Sequence, residues 1–280
     1  MRIDLHTHST VSDGTLTPAE VVQAAADAGL DVVALTDHDS FDGLPPAATA
    51  ADRLGLEFVP GVELSCRWYG IEPAISLHLL AYYCDPEDAG LGAEMARVRD
   101  GREHRAERIV DLMRADGVDV TWEEIRSYAA GGTVGRPHLA QALIRRGLVS
   151  TVSEAFAPQM LGERWRVPKP DTDVFLALRL VLGAGGVPVL AHPKATKRGR
   201  VVPDELIESM AEGGLFGLEA DHEDHTAEQR AEVRALADRL GLIVTGSSDF
   251  HGSNNSVKIG ANLTAPESLA AIRSAAAART

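Results

Sequence analysis

His6 and His8 stand one residue apart, and Asp13 follows them in Ser12-Asp13-Gly14. Side chains two apart on an extended strand share a face, so the two imidazoles could grip one ion. Taken singly, such a pair is commonplace, and an Asp before Gly is ordinarily a turn residue. The pattern recurs, however, at the end of almost every apolar run: Thr36-Asp37-His38-Asp39, Gly61-Val62-Glu63, Ala191-His192-Pro193, Glu219 and Ser248-Asp249-Phe250-His251, with His78 inside a further run. A purely structural account would need a separate buried partner for each of these polar groups, which repetition makes implausible.

Nine potential ligands result: His6, His8, Asp13, His38, Glu63, His78, His192, Asp249 and His251. They exceed what one four-coordinate ion needs, so more than one ion is implied. Mixed imidazole and carboxylate donors suit zinc, manganese or ferrous iron, whereas magnesium usually takes oxygen alone. Closely spaced ions can clamp the attacking and leaving oxygens of a phosphoryl transfer.

The elements that must position these groups alternate. Short apolar runs at 2–5, 32–35 and 58–62 are separated by helical patterns at 18–28 and 45–54, and 75–82 continues as a fourth strand. Pro18 after Thr17 reads as a helix start and Gly29 as its stop. From 91 to 167 the pattern turns helical, with helices at 91–115, 122–130, 137–146 and 152–161. The alternation resumes with helices at 173–184, 203–212, 227–240 and 266–278 and strands at 187–190, 216–218 and 242–245. Seven strands of this kind predict an α/β fold, a parallel (β/α)7 barrel built from residues 1–90 and 168–280, with 91–167 as a helical insertion. Catalytic groups of such barrels gather at the carboxyl ends of the strands, where these residues fall.

The formal charge of −14 argues against a nucleic-acid coat protein, which needs clustered Lys and Arg. Residues 95–170 nevertheless carry 13 Lys plus Arg against 10 Asp plus Glu, leaving −17 for the remainder. That basic segment reads as a solvated helix surface or as an electropositive wall facing an anionic substrate. Cys66 and Cys84 are too few for a disulfide framework. Met1 leads at once into a strand pattern, with no room for a secretory signal, and the apolar stretch 174–191 is broken by Arg179 and three glycines. A cytoplasmic protein with no membrane role is expected.

Taken together, His6-Thr7-His8-Ser9 with Ser12-Asp13-Gly14, Thr36-Asp37-His38-Asp39, Gly61-Val62-Glu63, His78, Ala191-His192-Pro193 and Ser248-Asp249-Phe250-His251 resemble the polymerase and histidinol phosphatase (PHP) superfamily. Gly135-Arg136-Pro137-His138 in the insertion further resembles its stand-alone branch of nucleoside 3′,5′-bisphosphate phosphatases and short-RNA 5′ exonucleases. The resemblance implies a distorted seven-stranded barrel and a cofactor of two or three divalent ions (Mn, Zn or Fe). It implies one ion at His6, His8, Glu63 and Asp249, a second at Glu63, His78 and His192, and a third at Asp13, His38 and His251. Glu63 would bridge two ions. Glu219-Ala220-Asp221-His222-Glu223-Asp224-His225 departs from the family pattern, which leaves His222 and His225 between a substrate contact and a supporting role.

Glu63 and Asp249 are thus expected in the catalytic centre, with Arg136 and His138 gripping a phosphate, since guanidinium binds two oxygens at once and imidazole supplies another donor. Lys194, Arg198 and His222 are further candidates for substrate contact. The expected activity is metal-dependent hydrolysis of a phosphate ester of a nucleotide or short oligonucleotide, foremost a nucleoside 3′,5′-bisphosphate or the 5′ end of short RNA. Histidinol phosphate is the alternative substrate, and a non-catalytic metal-binding regulatory domain is the alternative of another class. No stable nucleic-acid complex, membrane or protein partner is expected.

Overall fold

The computed structural model describes residues 1–129 and 134–279. It divides into two compact units, Met1–Met95 with Asp171–Thr280, and Ala96–Pro170.

In the first unit, β1 (Ile3–Asp4), β2 (Val32–Leu35), β3 (Glu57–Trp68), β4 (Ile75–Tyr82), β6 (Val187–Leu190), β7 (Gly217–Asp221) and β8 (Ile243–Gly246) form one sheet in that order; β5 (Thr172–Asp173) pairs on the side with β3. A parallel bridge between Thr7 and Phe250, with His8 N donating to Phe250 O at 2.9 Å, joins the chain beyond β1 to the chain beyond β8. The sheet therefore curls nearly closed. Helices α1 (Pro18–Asp27), α2 (Leu44–Leu54), α7 (Val174–Gly183), α8 (Asp204–Glu212), α9 (Ala227–Leu240) and α10 (Pro266–Ala277) belong to this unit. Local causes set their ends: Thr17 and Glu20 form a capping box before Pro18, and Gly55 ends α2 at φ 69°, a conformation that favours glycine. Ile3, Leu5, Ala34, Val59, Leu80 and Val189 pack into one apolar cluster, and Val62, Leu79, Leu178, Leu190, Leu218 and Leu236 contribute to another.

The seven-strand path agrees with expectation, but not every neighbour is parallel. β4 runs antiparallel to both β3 and β6. The cause is length: β3 continues to Trp68, and only residues 69–74 separate it from β4. A parallel return needs about a dozen residues of crossover, so this link can close only a hairpin.

The second unit has its own core. α4 (Trp122–Tyr128), α5 (Arg136–Arg145) and α6 (Val152–Ala155) follow α3 (Ala89–Ala115), and Ile109, Met113, Ile125, Leu139, Leu143 and Trp165 are buried among them. Thr121 and Thr151 cap α4 and α6, and Arg146 pairs with Glu124. Of the helix expected at 122–130, Ala130 lies outside the described residues. No described helix is long and apolar enough to cross a membrane.

Candidate metal centre

The strands of the first unit deliver the predicted side chains to one place. Beyond β1 the chain stays extended through His6, Thr7 and His8, so both rings face the same way while Thr7 turns aside and donates to Ala34 O at 2.6 Å. His6 Nε2 and His8 Nε2 are 3.1 Å apart; each lies 3.1 Å from Glu63 Oε2 and 3.2 Å from Asp249 Oδ1. These four donor atoms lie close enough together to share one first-row divalent ion.

Glu63 uses its two oxygens differently. Oε2 faces His6, His8 and, at 3.3 Å, His38 Nδ1, whereas Oε1 lies 2.9 Å from His78 Nδ1 and 3.4 Å from His192 Nε2. The reversed β4 makes this reach possible. His78 pairs across the ladder with Ser65, so it is diagonal to Glu63 on the same face. On the other side of His8, Asp13 Oδ1 lies 3.2 Å from His251 Nε2 and 3.7 Å from His8 Nδ1, and Asp13 Oδ2 lies 3.9 Å from His38 Nε2. His8 and His38 thus stand between neighbouring ligand groups. All nine predicted ligands fall in one continuous cluster, within which His6, His8, Glu63 and Asp249, then His8, Asp13, His38 and His251, and then His38, Glu63 and His78 have donor atoms close enough to share an ion. His192 belongs to none of these three sets and joins the cluster through Glu63 Oε1 at 3.4 Å.

The donor set fits ions on a second ground. Glu63 Oε1, Asp249 Oδ1, His38 Nδ1 and His78 Nδ1 are buried and have no hydrogen-bond partner among the described residues. The ion-pair distances among them are short, but the atoms are not aligned as donors and acceptors. Orphaned lone pairs of this kind are costly unless a cation satisfies them.

Electrostatics point the same way. Burial alone would push His6 and His8 toward the neutral form, but Glu63 and Asp249 reverse it, raising His6 well above the imidazole range and His8 to about 10. Burial would likewise raise Glu63 and Asp249, yet the surrounding imidazoles hold both well below the usual carboxylate range. His38 and His192 behave oppositely: burial lowers them, His192 to about 3 with Arg198 adding to the effect. The centre thus has a strong demand for positive charge between the carboxylates and readily neutral imidazoles at its rim.

Supporting residues hold the ligands in place. Glu219 Oε1 is 3.0 Å from His6 Nδ1, and Glu219 Oε2 accepts from His192 N at 2.9 Å. Asp37 accepts from Ser9 N, Ser9 Oγ and Ser12 Oγ at 2.6–2.8 Å, fixing the loop that carries Asp13. Gly14 is required there, because a Cβ would meet His8 O at 2.4 Å. Asp4 accepts from Ser248 N at 3.0 Å and Gly260 N at 2.7 Å, tying β1 to the segment that carries Asp249. Asp249 (φ 52°), His192 (φ 29°) and Asp39 (φ 51°) hold left-handed backbone, a strain that persists where surroundings impose it. Glu219 and Asp37 were visible at strand ends; Asp4 looked like an ordinary strand residue, and only its place two before His6 marked it.

The expected substrate contacts fare unequally. Arg198 reaches the cluster: Nη2 pairs with Asp249 Oδ2, Nη1 lies 3.2 Å from His192 Nε2, and Nε donates to Asp224 at 2.8 Å. His222 also reaches it, but buried behind Asp249, with Nε2 3.3 Å from Oδ2. Lys194 departs from expectation. Its buried ammonium donates to Val202 O at 2.8 Å and Asp204 at 2.6 Å, which commits it to bracing its own loop. His225 is similarly structural, between Ala220 O and Lys194 N. Within the second unit, Arg136 stacks 4.7 Å over Phe156 and donates to Leu161 O at 2.7 Å, while His138 Nδ1 accepts from Gly135 N at 2.9 Å as a helix cap.

Comparison with known proteins agrees with this chemistry. A family model described as PHP domain matches residues 4–120. The 3′,5′-nucleoside bisphosphate phosphatase of Chromobacterium violaceum is 33% identical over 251 residues, covering 89% of this chain and 87% of that protein. The 5′-3′ exoribonuclease of Haemophilus influenzae is 32% identical over 270 residues, covering 96% of each. A crystal structure from Bifidobacterium adolescentis, assigned to the metal-dependent phosphoesterases, superposes with a TM-score of 0.88 at 34% identity, covering 98% of this chain and 96% of that one.

Proposed function

The chain belongs to the PHP-domain family, a metal-dependent phosphoesterase, and we propose that its substrate is a nucleoside 3′,5′-bisphosphate or the 5′ end of a short RNA. The observation that carries the reading is the divided carboxylate of Glu63, whose two oxygens face different imidazoles. His6, His8, Glu63 and Asp249 would hold one ion and Asp13, His38 and His251 another, each group lying within one of the close sets, while Glu63, whose Oε1 faces both His78 and His192, would hold a further ion with those two imidazoles, as zinc, manganese or iron. When bound, such ions neutralise phosphate oxygens and lower the pKa of water.

The chain's own residues supply the rest. Glu219 fixes the His6 ring so that Nδ1 is engaged and Nε2 is presented to the centre. Arg198 offers guanidinium N–H groups at the edge of the cluster, where they can meet phosphate oxygens. Arg136 is a further candidate for a phosphate contact, because its guanidinium has no carboxylate partner among the described residues and its Nε is unpartnered. Lys194 is omitted, since Asp204 and Val202 already engage its ammonium. A cytoplasmic enzyme acting on small phosphorylated molecules fits this reading.

The test is phosphate release from a panel of nucleoside 3′,5′-bisphosphate, mononucleotides, 5′-phosphorylated short RNA and histidinol phosphate. Highest kcat/KM on the bisphosphate or the RNA is expected. Preference for histidinol phosphate would overturn the substrate assignment while leaving the reaction class intact.

A further inference from the structure

Arg198 makes contacts that a substrate-binding arginine does not need. It ends a short turn, Thr196–Arg198, followed by Gly199 at φ 122°, a conformation open to glycine. Its three nitrogens meet Asp224, His192 Nε2 and Asp249 Oδ2, and the last two belong to residues assigned above as ion ligands. Guanidinium can only donate, so at 3.2 Å the His192 Nε2 must be accepting through its single in-plane lone pair. The same nitrogen lies 3.4 Å from Glu63 Oε1, another lone-pair atom, and the two can face each other favourably only with a cation between or beside them.

Resting on the multi-ion reading, we propose that Arg198 is a built-in competitor for one ion of the cluster, the one held by Glu63, His78 and His192. An imidazole nitrogen has one lone pair, so bonding to that ion and accepting from Arg198 Nη1 exclude each other. The neighbouring ligand set is built to survive the exchange. Asp224 N donates to His222 Nδ1 at 3.0 Å, which leaves the proton on Nε2, pointed at Asp249 Oδ2. Asp249 therefore keeps a donor on Oδ2, and its Oδ1 stays toward His6 and His8, when Arg198 withdraws. The withdrawn guanidinium remains tethered through Nε to Asp224, with two Nη groups free for phosphate oxygens. Loading the ion would thus release a substrate-binding group, coupling completion of the centre to readiness for substrate.

The test is a Mn(II) titration of chelator-stripped, dialysed protein, reading ions per chain and each dissociation constant by calorimetry and by the spin-resonance signal of free Mn(II). Wild type should bind one ion distinctly more weakly than the others. Arg198→Ala should tighten that ion by about 10- to 100-fold, the scale of removing a charge-assisted hydrogen bond from its ligand. Arg198→Gln, which keeps a donor without the charge, should fall between, and the tighter ions should keep their affinities. In a His192→Ala background, where no lone pair is shared, adding Arg198→Ala should tighten the weak ion much less than it does in the wild-type background. Unchanged or weakened binding of the weak ion in both folded single variants would overturn the competition. A wild-type chain that binds at most one Mn(II) would instead overturn the multi-ion reading beneath it.

Discussion

His6 turns its Nδ1 to Glu219 at 3.0 Å, and this contact aims Nε2 at the carboxylates of the centre. Glu219 also accepts from His192 N, so one buried side chain orients ligands from two strands.

Replacing Glu219 by Gln leaves one accepting oxygen where two are used. Either the His6 ring or the His192 backbone loses its partner. Affinity for the ion at His6 should fall about 10- to 100-fold, the usual effect of removing a ligand's supporting partner, with the fold retained. Equal metal affinity in the Gln variant, by calorimetric titration, would show that Glu219 does not orient the site.

Asp37 is buried and accepts three hydrogen bonds from Ser9 and Ser12. Asn can accept at only one oxygen and presents a donor at the other. Asp37→Asn should cost about 1–3 kcal/mol of stability and displace Asp13, weakening the ion at Asp13, His38 and His251 more than the others. Urea denaturation and metal titration read both effects; uniform loss of all ions would contradict this local role.

His8 links protonation, metal and stability. Its folded-state pKa of about 10 lies above the ordinary 6.5, so in chelated protein it contributes stability that is full below about pH 6.5 and lost as pH rises through about 10. An ion needs the unprotonated ring, so metal affinity should strengthen across the same window. Calorimetric Tm of chelated protein should therefore fall between about pH 7 and 10 while that of loaded protein holds. A flat Tm for the chelated form would refute the linkage.

A phosphate contact by Arg136 predicts that Arg136→Ala leaves metal content intact and lowers kcat/KM about 10- to 1,000-fold. A rise in KM alone would mean equal contact with substrate and transition state; a fall in kcat as well would mean a contact tightened during attack. Wild-type kinetics on every substrate of the panel would remove Arg136 from recognition.

The ligand set could be read from the sequence because alternation along a strand fixes direction, and His6, His8 and the strand-end His38, Glu63 and Asp249 obey it. The orientation of β4 was harder: a strand pattern has no arrow, and β3 ran six residues further than its apolar stretch 58–62 suggested, turning the link into a hairpin. Loop residues were least accessible. Lys194 and Arg198 look alike in sequence, yet Asp204 draws one away while Asp249 draws the other in. Those acids lie 10 and 51 positions along the chain, and only folding brings each to its partner.

The central claim is that Glu63 bridges ions on which hydrolysis depends, and Glu63→Gln tests it most directly. The substitution removes a charge while nearly keeping the shape. Elemental analysis of gently purified protein, paired with phosphate release from a nucleoside 3′,5′-bisphosphate, should find more than one transition-metal ion per wild-type chain and activity that chelation abolishes and metal restores. The Gln variant should lose metal occupancy and most of the turnover. At most one ion per chain with full activity after chelation, or a Glu63→Gln enzyme with wild-type metal content and rate, would contradict the account.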